Sequence, residues 1–180
     1  MVNSTPLDRP ASPTVKTRRH PAHRRPALYD VLFYCLLTVI FAWPVVANLG
    51  VGTPGHFPVD RNQNLWNFWW VKRSVFAFHN PYQTTFLFYP YGTSLYLQTF
   101  SPYNQVIGLP LQLLFGLVPA YSFIELLAFP LGGLGGFFLG RYLTGNFWGG
   151  LLAGLVWSFG PYHYVELRQD QLNLISLQWL

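Results

Sequence analysis

Residues 120–140 read AYSFIELLAFPLGGLGGFFLG, an apolar run with a single charge, Glu125. A helix that crosses a hydrocarbon core needs about 20 consecutive apolar residues, so this stretch predicts a spanning helix near 120–141. Gly132, Gly136 and Gly140 recur at every fourth position and share one helix face. Such a stripe of small residues lets two helices approach closely in lipid. Glu125 has two readings. An acid inside a span defaults to a functional hypothesis, whereas one near the outer end can also snorkel to the interface.

Working outward, Arg141 follows at once and RYLTGN makes a short turn. Residues 147–164 predict a further span, with Gly150 and Gly154 repeating the small-residue pattern. The polar cluster HYVELRQDQLN (163–173) comes next. The run 172–180 begins another span and the chain stops inside it, which predicts a fragment or a truncated product. Upstream, VLFYCLLTVIFAWPVVANL (31–49) forms the core of a first span near 28–49, with Pro44 as a kink. It is longer than a signal-peptide core of about 7–15 residues. An uncleaved anchor is therefore favoured over a leader ending at the weak Val45-x-Ala47 site. Residues 1–26, rich in Pro, Ser, Thr and Arg, predict a disordered basic tail.

Composition agrees. Of 180 residues 51% are hydrophobic and only 9% charged, against about a quarter charged in a soluble domain. The net charge of +5 is concentrated in the tail at Arg9, Lys16, Arg18, Arg19, Arg24 and Arg25. A basic tail can bind nucleic acid. Beside an apolar run it more often fixes orientation, with Lys and Arg on the cytoplasmic side. That reading puts the tail inside and excludes a nucleic-acid partner. Cys35 is the one cysteine, so no disulfide framework forms within the chain. No phosphate-binding glycine loop, Gly-x-Ser-x-Gly elbow or His-Glu-x-x-His motif occurs. The cofactor is thus unknown: no nucleotide-binding motif is present, and a divalent metal stays open.

With the tail inside, residues 50–119 form a long extracytoplasmic loop, and long loops usually carry function. Surface helices are predicted near 61–78 and 103–118. The second is short for a span and interrupted by Gly108 and Pro110. If it lies flat, Arg141 is cytoplasmic and the Glu166–Asp170 cluster shares a side with Asp60. If it crosses, the two acidic groups are on opposite sides. On a helix beginning at Asp60, a turn of about 100° per residue puts Asp60, Asn64, Asn67 and Ser74 on one side. Leu65, Trp69 and Phe76 fall opposite, with Trp66 and Trp70 at the flanks. This predicts an interfacial helix whose polar face meets water. The sharper alternative is that Asp60 points into a cavity and acts as a general base, with Asn64 and Asn67 beside it for substrate. Glu166 and Asp170 share a face if helical. His163 with Glu166 has the spacing of a metal pair, but two residues define no site, so no metal site is assigned. The cluster is equally read as a polar cap on a span.

The ordered set of motifs carries a resemblance. QNLWNFWW (63–70), NPYQTTFLFYPYGTSLYLQT (80–99), LPLQLLFGLV (109–118), the run 120–164 and LNLISLQWL (172–180) follow one span and a first-loop acid. This resembles the amino-terminal part of bacterial polytopic GT-C-type glycosyltransferases, the group of dolichyl-phosphate-mannose-protein and aminoarabinose transferases, over roughly residues 28–180. The resemblance implies an all-α integral membrane protein of the bacterial plasma membrane: a GT-C-like helical bundle, incomplete over 27–180. It implies inverting transfer of a sugar from a polyprenyl-phosphate carrier, with Asp60 in the position of the catalytic base. It also makes Glu166 and Asp170 second-loop site candidates. The rival expectation is a non-catalytic polytopic membrane protein, a transporter component or scaffold.

Overall fold

A computed structural model describes residues 27–50 and 58–176. The predicted tail (1–26) and the last four residues of the fourth apolar run lie outside the described residues. The chain is mostly helical: α1 (Ala27–Phe41), α2 (Trp43–Ala47), α3 (Pro58–Phe76), α4 (Pro102–Phe115), α5 (Leu117–Thr144), α6 (Phe147–Ser158), α7 (Pro161–Arg168) and α8 (Leu172–Ile175). A two-residue antiparallel pair, β1 (Gln83–Thr84) and β2 (Thr93–Ser94), closes a hairpin between α3 and α4.

Among the described residues one helix, α5, is long and apolar enough to cross a membrane. The other two predicted spans are broken, and proline explains both breaks. The first run divides at Ala42, between α1 and α2. Pro44 lacks an N–H, and its ring clashes with the carbonyl four residues earlier. The run 147–164 stops at Ser158. Gly160 is extended (ψ 163°) and Pro161 restarts the chain as α7, because a residue before proline is pushed out of the helical region. Twelve residues of α6 rise about 18 Å, short of a hydrocarbon core of about 30 Å. The predicted surface helices are present as α3 and α4. At 14 residues, α4 rises about 21 Å, too little to cross.

α5 and α6 form a tight hairpin. Gly145 turns the chain at φ 66°, and the Asn146 side chain caps α6 by accepting from the Trp148 N–H at 3.1 Å. Gly136 and Gly140 face α6, as their spacing predicts. A Cβ on Gly136 would stand 2.9 Å from the Gly154 Cα, and one on Gly140 would stand 2.5 Å from the Ala153 Cβ. Gly133 lies off the predicted stripe and receives the ring of Tyr34 from α1. The Tyr34 hydroxyl donates to the Leu151 carbonyl at 3.2 Å. One side chain thus joins α1, α5 and α6 near their midpoints.

These contacts fix direction. Gly50, at the end of the first helical run, lies against Pro119 at the start of α5. α6 returns antiparallel, so α7 and α8 arrive at the same end as α3. Two apolar clusters hold that end together: Ala42, Val45, Ala128, Phe129, Leu167 and Ile175 in one, and Phe68, Tyr121, Ile124 and Leu172 in the other.

Of the two readings of α3's polar side, the one that turns it to water does not hold. Asn64, Asn67 and Ser74 are buried, while Phe76 is exposed. The polar stripe is held inward by α4, α5 and the segment around Asp170. α4 follows the same rule. Asn104, Gln105 and Gln112 are buried, whereas Val106, Leu114 and Phe115 face out.

Candidate functional site

The site begins with a helix end. α7 stops at Arg168, and Asp170 takes the left-handed conformation, φ 57°. The Gln171 N–H reaches back to the Glu166 carbonyl at 3.1 Å and the Asp170 N–H to the Leu167 carbonyl at 3.4 Å. This is a Schellman-type cap with Asp where glycine is usual; Asp tolerates this region better than most residues. The turn breaks the helical spacing that would have put Glu166 and Asp170 on one face.

The turn aims the Asp170 carbonyl into the bundle. Asn64 Nδ2 of α3 and the Tyr121 hydroxyl of α5 both donate to it, each at 3.1 Å. The next residue, Gln171, donates from Nε2 to Asp60 Oδ2 at 3.1 Å and to Gln169 Oε1 at 3.2 Å. The first-loop acid and the 163–173 cluster therefore meet, which is the arrangement expected if 103–118 lies flat. Asp60 is half-buried, so it combines a fixed position with access. Asp170 itself is buried.

Behind this contact lies Glu125, 0% exposed, with neither carboxylate oxygen hydrogen-bonded. Ser122, one turn earlier on α5, is also buried with its hydroxyl unpartnered. Asn67 occupies its Nδ2 on the Thr99 carbonyl at 3.1 Å and leaves Oδ1 without a partner. The amide donors of Asn64 and Asn67 are thus engaged by backbone carbonyls. Their roles here are to fix α3 against the Asp170 turn and the loop before α4.

His163 and Glu166 are placed differently. No hydrogen bond joins either to Asp60 among the described residues. The His163 ring packs on Phe129 at 6.3 Å and on Tyr162 at 5.3 Å, and burial pushes its pKa down. Burial pushes the Glu166 carboxyl up, and its Oε2 has no partner. Among the described residues no three His, Cys, Asp or Glu side chains converge to hold a metal ion. The His163–Glu166 spacing therefore gains no third ligand there.

Two participants escape the sequence reading, Tyr121 and Gln171. Gln171 lies inside the polar cluster, which was its only signal. Tyr121 looks like one more aromatic in a span until its hydroxyl is seen donating inward.

No family model, characterised protein or solved structure matches this chain.

Proposed function

We propose that the chain is part of a membrane glycosyltransferase that takes its sugar from a polyprenyl-phosphate carrier on the extracytoplasmic face. The observation that carries this is the Gln171–Asp60 hydrogen bond. It supports a two-part site, in which an accessible carboxylate from the first loop is oriented by the segment after α7. In this reading Asp60 accepts the proton of an acceptor hydroxyl as that oxygen bonds to the anomeric carbon. The bond from that carbon to the carrier phosphate breaks, and the phosphate leaves with the electron pair. General-base assistance of this kind is worth roughly 10²–10⁴-fold.

Membrane residence is the first part of the proposal. The inward Asn and Gln side chains of α3 and α4, with Leu114 at 75% and Phe115 at 66% exposure, support a surrounding solvent of hydrocarbon rather than water. The proposed setting is the bacterial plasma membrane, multi-pass, with the basic tail cytoplasmic and the lipid bilayer and a polyprenyl-phosphate-linked sugar as partners. A second reading, a non-catalytic transport component or scaffold, draws on Glu125, buried without a hydrogen-bond partner on α5, the one long apolar helix among the described residues.

The deciding experiment expresses the protein in bacterial membranes, supplies a radiolabelled polyprenyl-phosphate sugar pool and follows label into acceptor. Asp60→Asn is expected to lower transfer at least a hundredfold while Glu125→Gln leaves most of it. Undiminished transfer by Asp60→Asn removes the catalytic reading.

A further inference from the structure

A pair of grooves lies at the other end of α3, far from Asp60. One, of about 720 Å³, runs between α3 and the β1–β2 hairpin. Its lining mixes the aromatic walls Trp70 and Phe86 with His79, Asn80 and Thr93. The second, of about 600 Å³, runs between α3 and α4 and is the more apolar, with Trp69, Phe76 and Leu117. Arg73 and Ala77 line both, so the two grooves meet there. Lys72 lines the second.

The chemistry at the junction is one-sided. None of the described residues lining either groove is acidic. From Arg61 to Ile124 the sequence has Arg61, Lys72 and Arg73 and no Asp or Glu at all. The Arg73 guanidinium is held over the Phe86 ring at 5.1 Å and the Trp69 ring at 5.8 Å, which fixes the cation while leaving its edge N–H groups for an anion. Ser74 is 1% exposed, lines the polar groove, and its hydroxyl has no partner in the protein. A buried hydroxyl without a protein partner calls for an explanation, and a polar headgroup in this groove supplies one. The rim is apolar: Phe76, Phe86 and Tyr91 are exposed.

We propose that the two grooves seat one anionic glycerophospholipid. Its phosphate sits on Arg73, its hydroxyl-bearing headgroup in the polar groove, and an acyl chain along the apolar groove between α3 and α4. The proposal rests on the membrane residence argued above, not on the glycosyl transfer. The bound lipid is a resident and not the sugar donor. Asp60 and Arg73 stand thirteen positions apart on α3, about 20 Å along the helix, so a phosphate held at Arg73 cannot present its bonds to Asp60.

The test purifies the full chain in detergent and offers equal amounts of dioleoyl phosphatidylglycerol and phosphatidylcholine, reading retained lipid by native mass spectrometry. The protein is expected to keep phosphatidylglycerol over phosphatidylcholine by roughly tenfold, the worth of one charge-assisted contact. R73Q is expected to abolish that preference and R73K to retain part of it, which separates loss of charge from loss of fold. R73Q should leave sugar transfer intact. Equal retention of the two lipids by the unaltered protein overturns the proposal, as does an undiminished preference in R73Q. Displacement of the lipid by millimolar inorganic phosphate would make this a free-anion site. Displacement by a short isoprenyl phosphate would make it the donor groove, and either result overturns the resident lipid. Recovery of the chain in the aqueous fraction without detergent overturns the membrane reading itself. Membrane partition without lipid selectivity overturns the lipid seat alone.

Discussion

The Asp170 carbonyl offers a sharp test of how the site is held, because two donors from different helices share one acceptor. Asn64 Nδ2 and the Tyr121 hydroxyl each reach it at 3.1 Å, and Asn64, Tyr121 and Asp170 are all buried. Tyr121→Phe removes one donor with little change of shape, and the carbonyl keeps Asn64. Asn64→Leu removes the other at similar volume, and the carbonyl keeps Tyr121. Each single change is expected to cost about 1 kcal/mol, the net worth of an ordinary hydrogen bond. The double variant takes both helix donors from one buried carbonyl, and losing the second is expected to cost more than losing the first, by a further ~1–3 kcal/mol. The cycle should therefore show a coupling of about 1–2 kcal/mol beyond the sum of the singles. Stability is read by titrating the protein from mild detergent into dodecyl sulfate and following helicity by far-ultraviolet circular dichroism. Effects that add to within ~0.4 kcal/mol, the scatter of independent sites, would refute a shared acceptor. Under the proposed glycosyl transfer, the double variant, by freeing the Gln171 turn, is expected to lower transfer more than either single.

The other predictions follow from packing and titration. Gly135 has open space where a Cβ would go, whereas a Cβ on Gly154 would meet the Tyr34 hydroxyl and the Gly133 carbonyl. Gly135→Ala is expected to stabilise by about 0.5–1 kcal/mol and Gly154→Ala to destabilise by about 1–3 kcal/mol, both read in the same unfolding titration. Because burial depresses the His163 pKa from its ordinary 6.5, the unfolded chain takes up a proton before the folded one. Stability is then complete above pH 6.5 and falls as pH drops through the folded pKa, with a slope of at most ~1.4 kcal/mol per pH unit. His163→Gln should flatten that limb, and an unchanged slope would show that His163 does not cause it. Glu166 acts in the opposite sense. Its pKa is raised from 4.5, so its contribution is present below pH 4.5 and lost as pH rises through the folded value; Glu166→Gln should improve stability near neutrality.

Much of this protein is legible in one dimension. The apolar run 120–140 becomes α5, the glycines at 136, 140, 150 and 154 form the α5–α6 seam, and the loop helices appear where they were expected. Those features are local: apolar length and four-residue spacing act within one or two helices. Even the broken spans were within reach, since Pro44 and Pro161 stand in the sequence and their effect on the preceding residues is steric. What no local pattern supplies is the sign of a helix face. Periodicity shows that Asn64, Asn67 and Ser74 share a stripe, but not whether the stripe faces solvent or protein. That depends on what the neighbours present: the Asp170 carbonyl from α7's cap, the Thr99 carbonyl before α4, and the Tyr121 hydroxyl across from Asn64. These partners lie 32 to 106 residues away from the stripe. The approach of Gln171 to Asp60 over 111 residues is of the same kind. It exists because α6 runs back antiparallel to α5 and delivers the end of α7 to the start of α3, a consequence of packing that the residues around Asp60 cannot encode alone.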